Sequence, residues 1–261
     1  MMDQLIILAR LFAWLAMLSV VFVPLERLCA LHPQRVFRPA LLTDLGYYLI
    51  GAIVPGLVLS APLSLLALAA HHAIPAPWQH AVATAPLWLK LPAALLIGEC
   101  GFYWGHRLTH QIPLLWRFHA IHHSAEQMDF LVNTRAHPVD LVFTRLCGLT
   151  PLYMLGLAEP GHSMISVIVI LFGTVWGFVV HANIDWRLRP LAWLIATPAF
   201  HHWHHARTAD GDISANYAAM FPIFDHLFGT HHTPPAWPER YGITGKVPPT
   251  LAAQLSAPFR L

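Results

Sequence analysis

Five apolar runs, at roughly residues 5–25, 43–70, 86–104, 139–158 and 162–181, constrain this chain more than any other feature of it. A backbone immersed in hydrocarbon can satisfy its N–H and C=O groups only inside helices or closed barrels. Runs of this length suit helices that cross about 30 Å of bilayer core. Of 261 residues, 56% are hydrophobic and 11% charged, which leaves little for a separate soluble domain. The expected fold is therefore an all-α integral membrane protein with about four to five transmembrane helices. Pro55 and Pro62 are expected to interrupt the second run. The first run is longer than a signal-peptide core, lacks a basic flank and contains Arg10, so it is expected to stay attached.

Basic residues orient the spans, because short cytoplasmic loops accumulate Lys and Arg. Arg27, Arg35 and Arg38 lie in one loop, Arg107, Arg117 and Arg135 follow the third span, and Arg187, Arg189, Arg207, Arg240 and Lys246 follow the fifth. Residues 71–85 and 156–163 contain neither Lys nor Arg. The basic regions are read as cytoplasmic and the N-terminus as outside, with Lys90 the one dissenting charge. A net charge of +2, with its basic residues flanking spans, excludes nucleic-acid binding as the reading. Cys29, Cys100 and Cys147 show no C-x-x-C spacing and read as packing residues.

Nine of the 19 histidines fall in two tracts, both placed by this topology at the cytoplasmic ends of spans. The first holds His106, His110, His119, His122 and His123; the second holds His201, His202, His204 and His205. Residues i, i+3 and i+4 share a helix face, so His106 with His110, the H-x-x-H-H set 119–123 and the same set at 201–205 are each expected to aim at one point. Imidazole is the commonest protein ligand for transition metals. Eight convergent rings exceed the ligand count of one zinc, which points to a two-metal cluster.

Iron, copper, zinc and manganese all suit such a site. A zinc-dependent membrane hydrolase would more often carry H-E-x-x-H, which is missing. A ferritin-type carboxylate site would need paired E-x-x-H elements, which the five glutamates do not supply. A metal-binding or transport protein would place ligands near the bilayer midplane, whereas the mid-span positions here are mostly apolar. Two irons held mainly by histidine, with dioxygen as co-substrate, would oxidise a lipid at the membrane surface.

The order H-R-x-x-H (106–110), H-x-x-H-H (119–123), A-H-P-x-D (136–140), H-x-N (181–183), H-x-x-H-H (201–205) and D-x-L-F-G-T (225–230) resembles the fatty acid hydroxylase/sterol desaturase superfamily. The resemblance implies a non-haem di-iron centre at the cytosolic face, which hydroxylates or desaturates a lipid with dioxygen and two external electrons. It implies ligands at His106, His110, His119, His122, His123, His201, His204 and His205, and a further one at His181. The chain then divides into an N-terminal transmembrane region (1–85), a catalytic domain (86–232) and a tail (233–261). Asn216-Tyr217-Ala218 and Phe224-Asp225-His226 depart from the commonest family pattern. Because the chain shows no haem-binding domain, iron–sulfur cysteine set or nucleotide fingerprint, the electron donor is expected to be a separate protein of ferredoxin or cytochrome type.

Glu99 lies seven residues before His106, on the same helical face, and resembles the family's upstream carboxylate; it is expected to accept a ligand's distal N–H. Asp185 sits one turn after His181 and is a second candidate for orienting a ring. His137 in the A-H-P element is read either as a ligand or as a turn-fixing hydrogen-bond partner, and His202 as a weaker ligand candidate. His32, His71, His72, His80, His162, His226, His231 and His232 are read as loop or interfacial residues.

Overall fold

The computed structural model describes residues 2–158, 164–209 and 211–260. Its helices are α1 (Met2–Leu28), α2 (Leu41–Ala73), α3 (Ala76–Thr84), α4 (Leu87–Gln111), α5 (Pro113–His123), α6 (Pro138–Met154), α7 (Met164–His181), α8 (Pro198–His204), α9 (Ile223–Leu227) and α10 (Leu251–Ser256). Short 3-10 turns lie at Phe130–Thr134 and Ala257–Phe259. One two-stranded antiparallel ribbon pairs β1 (Arg207–Thr208) with β2 (Gly211–Asp212). His162, expected to be a loop residue, lies outside the described residues.

Three helices, α1 from Leu5, α2 and α7, are long and apolar enough to cross a membrane. The pair α3 and α4 adds a fourth if its two parts, bent by 113°, form one span. The sequence-based count of four to five thus becomes three to four. α6 falls short because it runs for only 17 residues. The outward faces are apolar: Val20, Leu57 and Leu65 are each about 70% exposed, as a lipid-facing surface requires and a water-facing one penalises. α2 continues through Pro55 and Pro62.

Close helix contact fixes the bundle. α4 presents Gly98, Gly101 and Gly105 to α6, and a methyl group added at Gly105 would lie 2.7 Å from the Cys147 Cβ. At Gly101 it would overlap the Cys147 carbonyl oxygen. Small residues at such spacing let backbones approach where lipid supplies no hydrophobic drive between helices. Leu59, Leu63, Ala94, Leu149, Leu152 and Val169 close one core between α2, α4, α6 and α7. Leu18, Phe22, Phe130 and Phe178 close a second that holds α1.

All the histidine-bearing ends emerge on one face. Glu26 near the end of α1 accepts from the backbone N–H of Phe130 (2.7 Å) and of Asn183 (2.9 Å), tying α1 to the exit of α7. On the same face Arg135 pairs with Asp44 at the start of α2 (2.6 and 3.0 Å), while Arg38 pairs with Asp129 (2.5 and 2.8 Å) and Asp44 (2.6 Å). Two cations and two carboxylates balance there, which offsets the cost of burying Arg38 and Arg135.

Candidate metal centre

Local sequence starts each histidine helix cleanly. α5, α6 and α8 begin with Pro113, Pro138 and Pro198 at a first-turn position, where proline's missing N–H costs nothing. Thr197 caps α8 by accepting from the Phe200 N–H at 3.2 Å. α4 ends at Gln111, α5 follows after a single residue, and α7 ends on His181. Distant segments are thereby brought to one point.

Nine imidazoles form two adjacent groups: His106, His110, His119, His123 and His204, then His122, His181, His201 and His205. Within each group one nitrogen per ring lies within 4.8 Å of all the others. The groups touch, with the His123 and His205 rings stacked 4.3 Å apart. Contrary to the sequence reading, neither H-x-x-H-H set aims at one point. His119 and His123 face the first group and His122 the second; His201 and His205 face the second and His204 the first. At about 100° per residue, positions i and i+4 differ by about 40° but i+3 and i+4 by about 100°. The i+3 ring therefore reaches across the seam.

Hydrogen bonds assign the tautomers. Nδ1 of His106 donates to the Tyr217 carbonyl (2.7 Å), that of His122 to Arg135 (3.0 Å), that of His181 to Gly177 (2.7 Å) and that of His204 to Ala215 (2.7 Å). His119 Nδ1 donates to both carboxylate oxygens of Asp140 at 3.1 Å. Each ring thus carries its proton on Nδ1 and turns a lone pair on Nε2 inward. Those lone pairs face one another: His106 and His119 Nε2 stand 3.1 Å apart, His122 and His181 Nε2 3.3 Å. Two lone pairs at this separation repel unless a cation lies between them. Imidazole nitrogens that share a transition metal at about 2.0–2.1 Å stand about 3 Å apart. His110 Nε2 and His204 Nε2 are buried without a partner, as metal-binding atoms are when only protein is considered. The donor set fits two transition-metal ions.

Burial supports ligand chemistry as well. Desolvation first, and neighbouring imidazoles second, hold His122, His123, His204 and His205 well below the ordinary histidine range; His201 shifts the same way, with His181 the leading neighbour. Neutral rings are the form that binds metal.

Four sequence-based candidates sit elsewhere. Glu99 meets no imidazole: its Oε1 accepts from the backbone N–H of Met220 (2.7 Å) and Phe221 (3.3 Å), fixing the segment after Tyr217. Asp185 is exposed and accepts from Trp237 Nε1 at 2.9 Å, because the chain turns away after His181. His137 caps α6, with Nδ1 accepting from the Val139 N–H and Nε2 donating to the Leu255 carbonyl, both at 3.1 Å. His202 points to the opposite side of α8, with Nδ1 2.9 Å from the Tyr241 hydroxyl and Nε2 donating to the Ala182 carbonyl at 3.1 Å. Both nitrogens of these two rings are committed, so neither belongs to a ligand set. The residue that sequence reasoning passed over is Asp140. It stood inside the quoted A-H-P-x-D element, the one signal available, without being given a role.

A cavity of about 320 Å³ opens onto both groups, touching His106 and His119 of the first and His122, His181 and His201 of the second. It continues between the helices along Leu149, Val169 and Ile170. Histidine clusters at one end and an apolar channel at the other define a multi-pass helical membrane protein with a candidate metal centre open to an apolar cavity.

The chain belongs to the fatty acid hydroxylase family, whose profile matches residues 91–230. It is 38% identical to the ornithine lipid hydroxylase OlsE of Rhizobium tropici over 67% of this chain and 51% of that protein. It is 31% identical to the alkylglycerol monooxygenase of Danio rerio over 66% and 35% of the two chains. It is 28% identical to methylsterol monooxygenase 2-2 of Arabidopsis thaliana over 56% and 54%. The chain thus spans about half the length of the bacterial hydroxylase and about a third of the Danio protein. No solved structure matches it.

Proposed function

We propose that this protein is a membrane-bound lipid hydroxylase that uses two irons, dioxygen and two electrons from a separate ferredoxin- or cytochrome-type donor. The observation that carries the reading is the contact of both imidazole groups with one apolar cavity. His106, His110, His119, His123 and His204 would hold one ion, and His122, His181, His201 and His205 the other. Zinc would substitute during overproduction, since histidine sites discriminate poorly between the two metals. When bound, the iron pair supplies activation of dioxygen. The net reaction inserts one oxygen into a C–H bond and reduces the other to water with two electrons and two protons.

The protein's own part is positioning and exclusion. Carbonyls of Tyr217, Arg135, Gly177 and Ala215, with Asp140, fix five rings so that no rotation is needed to receive the metals. The apolar channel excludes water and presents a chain to the histidines. Hydrolysis is disfavoured because the cavity carboxylates are committed, Glu99 to backbone amides and Asp140 to His119. The named relatives are hydroxylases and monooxygenases, which favours oxygen insertion over desaturation. The basic residues of the histidine face support a cytoplasmic placement in this reading, which would give an electron donor access to it.

The test is a comparison of whole-membrane lipid extracts with active protein and with His204→Ala, alongside metal analysis after iron supplementation. The expected result is two irons per chain and a lipid heavier by one oxygen only with active protein. A loss of two hydrogens would replace hydroxylation by desaturation. One metal or none would end the two-iron reading.

A further inference from the structure

The apolar cavity contains one charge that nothing in the fold explains. Arg145 lies on α6, five residues beyond the Asp140 that holds His119, and this half-buried residue lines the cavity with Tyr48, Gly51 and Leu149. Among the described residues no hydrogen bond or ion pair reaches its guanidinium. The contrast with the two fully buried arginines is sharp: Arg38 and Arg135 are each matched by carboxylates at 2.5–3.0 Å. The cavity's own carboxylates do not serve Arg145, since Glu99 and Asp140 are engaged elsewhere. An ionised side chain even partly withdrawn from water inside a membrane protein destabilises the fold unless it is paired. A cation kept there without a protein partner is one whose partner arrives with the ligand.

From this we propose that Arg145 binds the anionic group of the lipid substrate, a carboxylate or a phosphate. The planar guanidinium presents a fork of N–H donors that matches either oxyanion bidentately. Leu149, Val169 and Ile170 take the apolar chain. The assignment rests on the lipid-hydroxylase reading and narrows its substrate to lipids bearing a negative charge near the oxidised end of the cavity. It also gives a cost that only binding offsets: removing the charge relieves a desolvation penalty, so Arg145→Met is expected to fold at least as stably as the parent.

Binding without turnover separates the two readings. The full-length, iron-loaded protein in non-ionic detergent is titrated calorimetrically with dodecyl phosphate, dodecanoate and dodecanol, then the titrations are repeated with Arg145→Met and Arg145→Lys. The parent is expected to bind at least one anion more than about 10-fold tighter than the alcohol, and Arg145→Met to lose about 10–100-fold for that anion with dodecanol unchanged. Arg145→Lys should fall between, keeping charge but not the fork. Preference between phosphate and carboxylate identifies which class of headgroup is read. Equal binding of all three amphiphiles by the parent, or equal weakening of all three in Arg145→Met, overturns the proposal. If anion selectivity follows Arg145 but no oxygenated product forms in the lipid extracts, the hydroxylase reading falls and the anion site stands.

Discussion

At His119 one ring shows how the site is assembled. Its Nδ1 proton is held between the two Asp140 oxygens, so Nε2 turns toward His106 and His123, each 3.1 Å away. Asp140→Asn keeps an acceptor for the Nδ1 proton but removes the negative charge beside the ring. Iron per chain is expected to be largely retained, with product formation down about 10–100-fold. His204→Ala, by contrast, should lower iron and product together, and the exposed His72→Ala neither. Measuring both quantities on the three variants separates a ligand from its support; an Asp140→Asn protein with full activity would refute the role given to that carboxylate. The titration of the rings has a consequence for the metal-free protein. His122, His123, His201, His204 and His205 have folded pKa values lowered by burial, against an unfolded value of about 6.5. Below that pH the unfolded chain binds protons that the folded chain does not, so stability falls as pH drops. Thermal unfolding of chelated protein should shift downward from about pH 6.5 toward pH 5, and an unchanged midpoint would contradict the burial of these rings. The histidines themselves were legible because their spacing is local. Their division between two groups was not, since it depends on which side of a helix seam the i+3 ring falls. Nor was the role of Asp140, whose bond to His119 spans 21 residues, or the engagement of Glu99 with Met220, which spans 121.

Among the elements, the α4–α6 contact determines whether the two halves of the first group meet. His106 and His110 ride on α4, and α6 carries the Asp140 that orients His119. Gly101 and Gly105 let the helices touch at Cys147. Gly101→Val would push side-chain atoms into the Cys147 backbone, at about 1–3 kcal/mol for overpacking, and separate Asp140 from the α4 histidines. The expected result is a lower unfolding temperature together with less iron per chain. A variant with parental iron content would show that this contact does not position the site. Apolar runs foretold most helices, but hydropathy averages over a window and is blind to direction. It therefore missed the 113° bend between α3 and α4 and merged α6, with its buried Asp140 and half-buried Arg145, into the list of spans.

For the whole molecule, helix lengths give a geometric reason to expect the histidine face and the α3 region on opposite sides of the membrane. α2 begins beside Arg135 at the histidine face and ends at Ala73, 33 residues later, a rise of about 50 Å against about 40–45 Å for a bilayer with its headgroups. α3 then packs at that far end, where Trp78 Nε1 donates to the Leu155 carbonyl beyond the close of α6. The loop charges supply the direction, with basic residues clustered at the histidine face and none in residues 71–85. Single cysteines replacing His80 and Thr208, both exposed, in a background lacking Cys29, Cys100 and Cys147, should therefore label from opposite sides of intact cells. His80→Cys is expected to react with an impermeant thiol reagent added outside, and Thr208→Cys only after the cells are opened. Labelling of Thr208→Cys from outside would reverse the orientation. It would also remove the histidine face from cytoplasmic electron donors, leaving the two imidazole groups in place but the reducing partner to be sought on the other side.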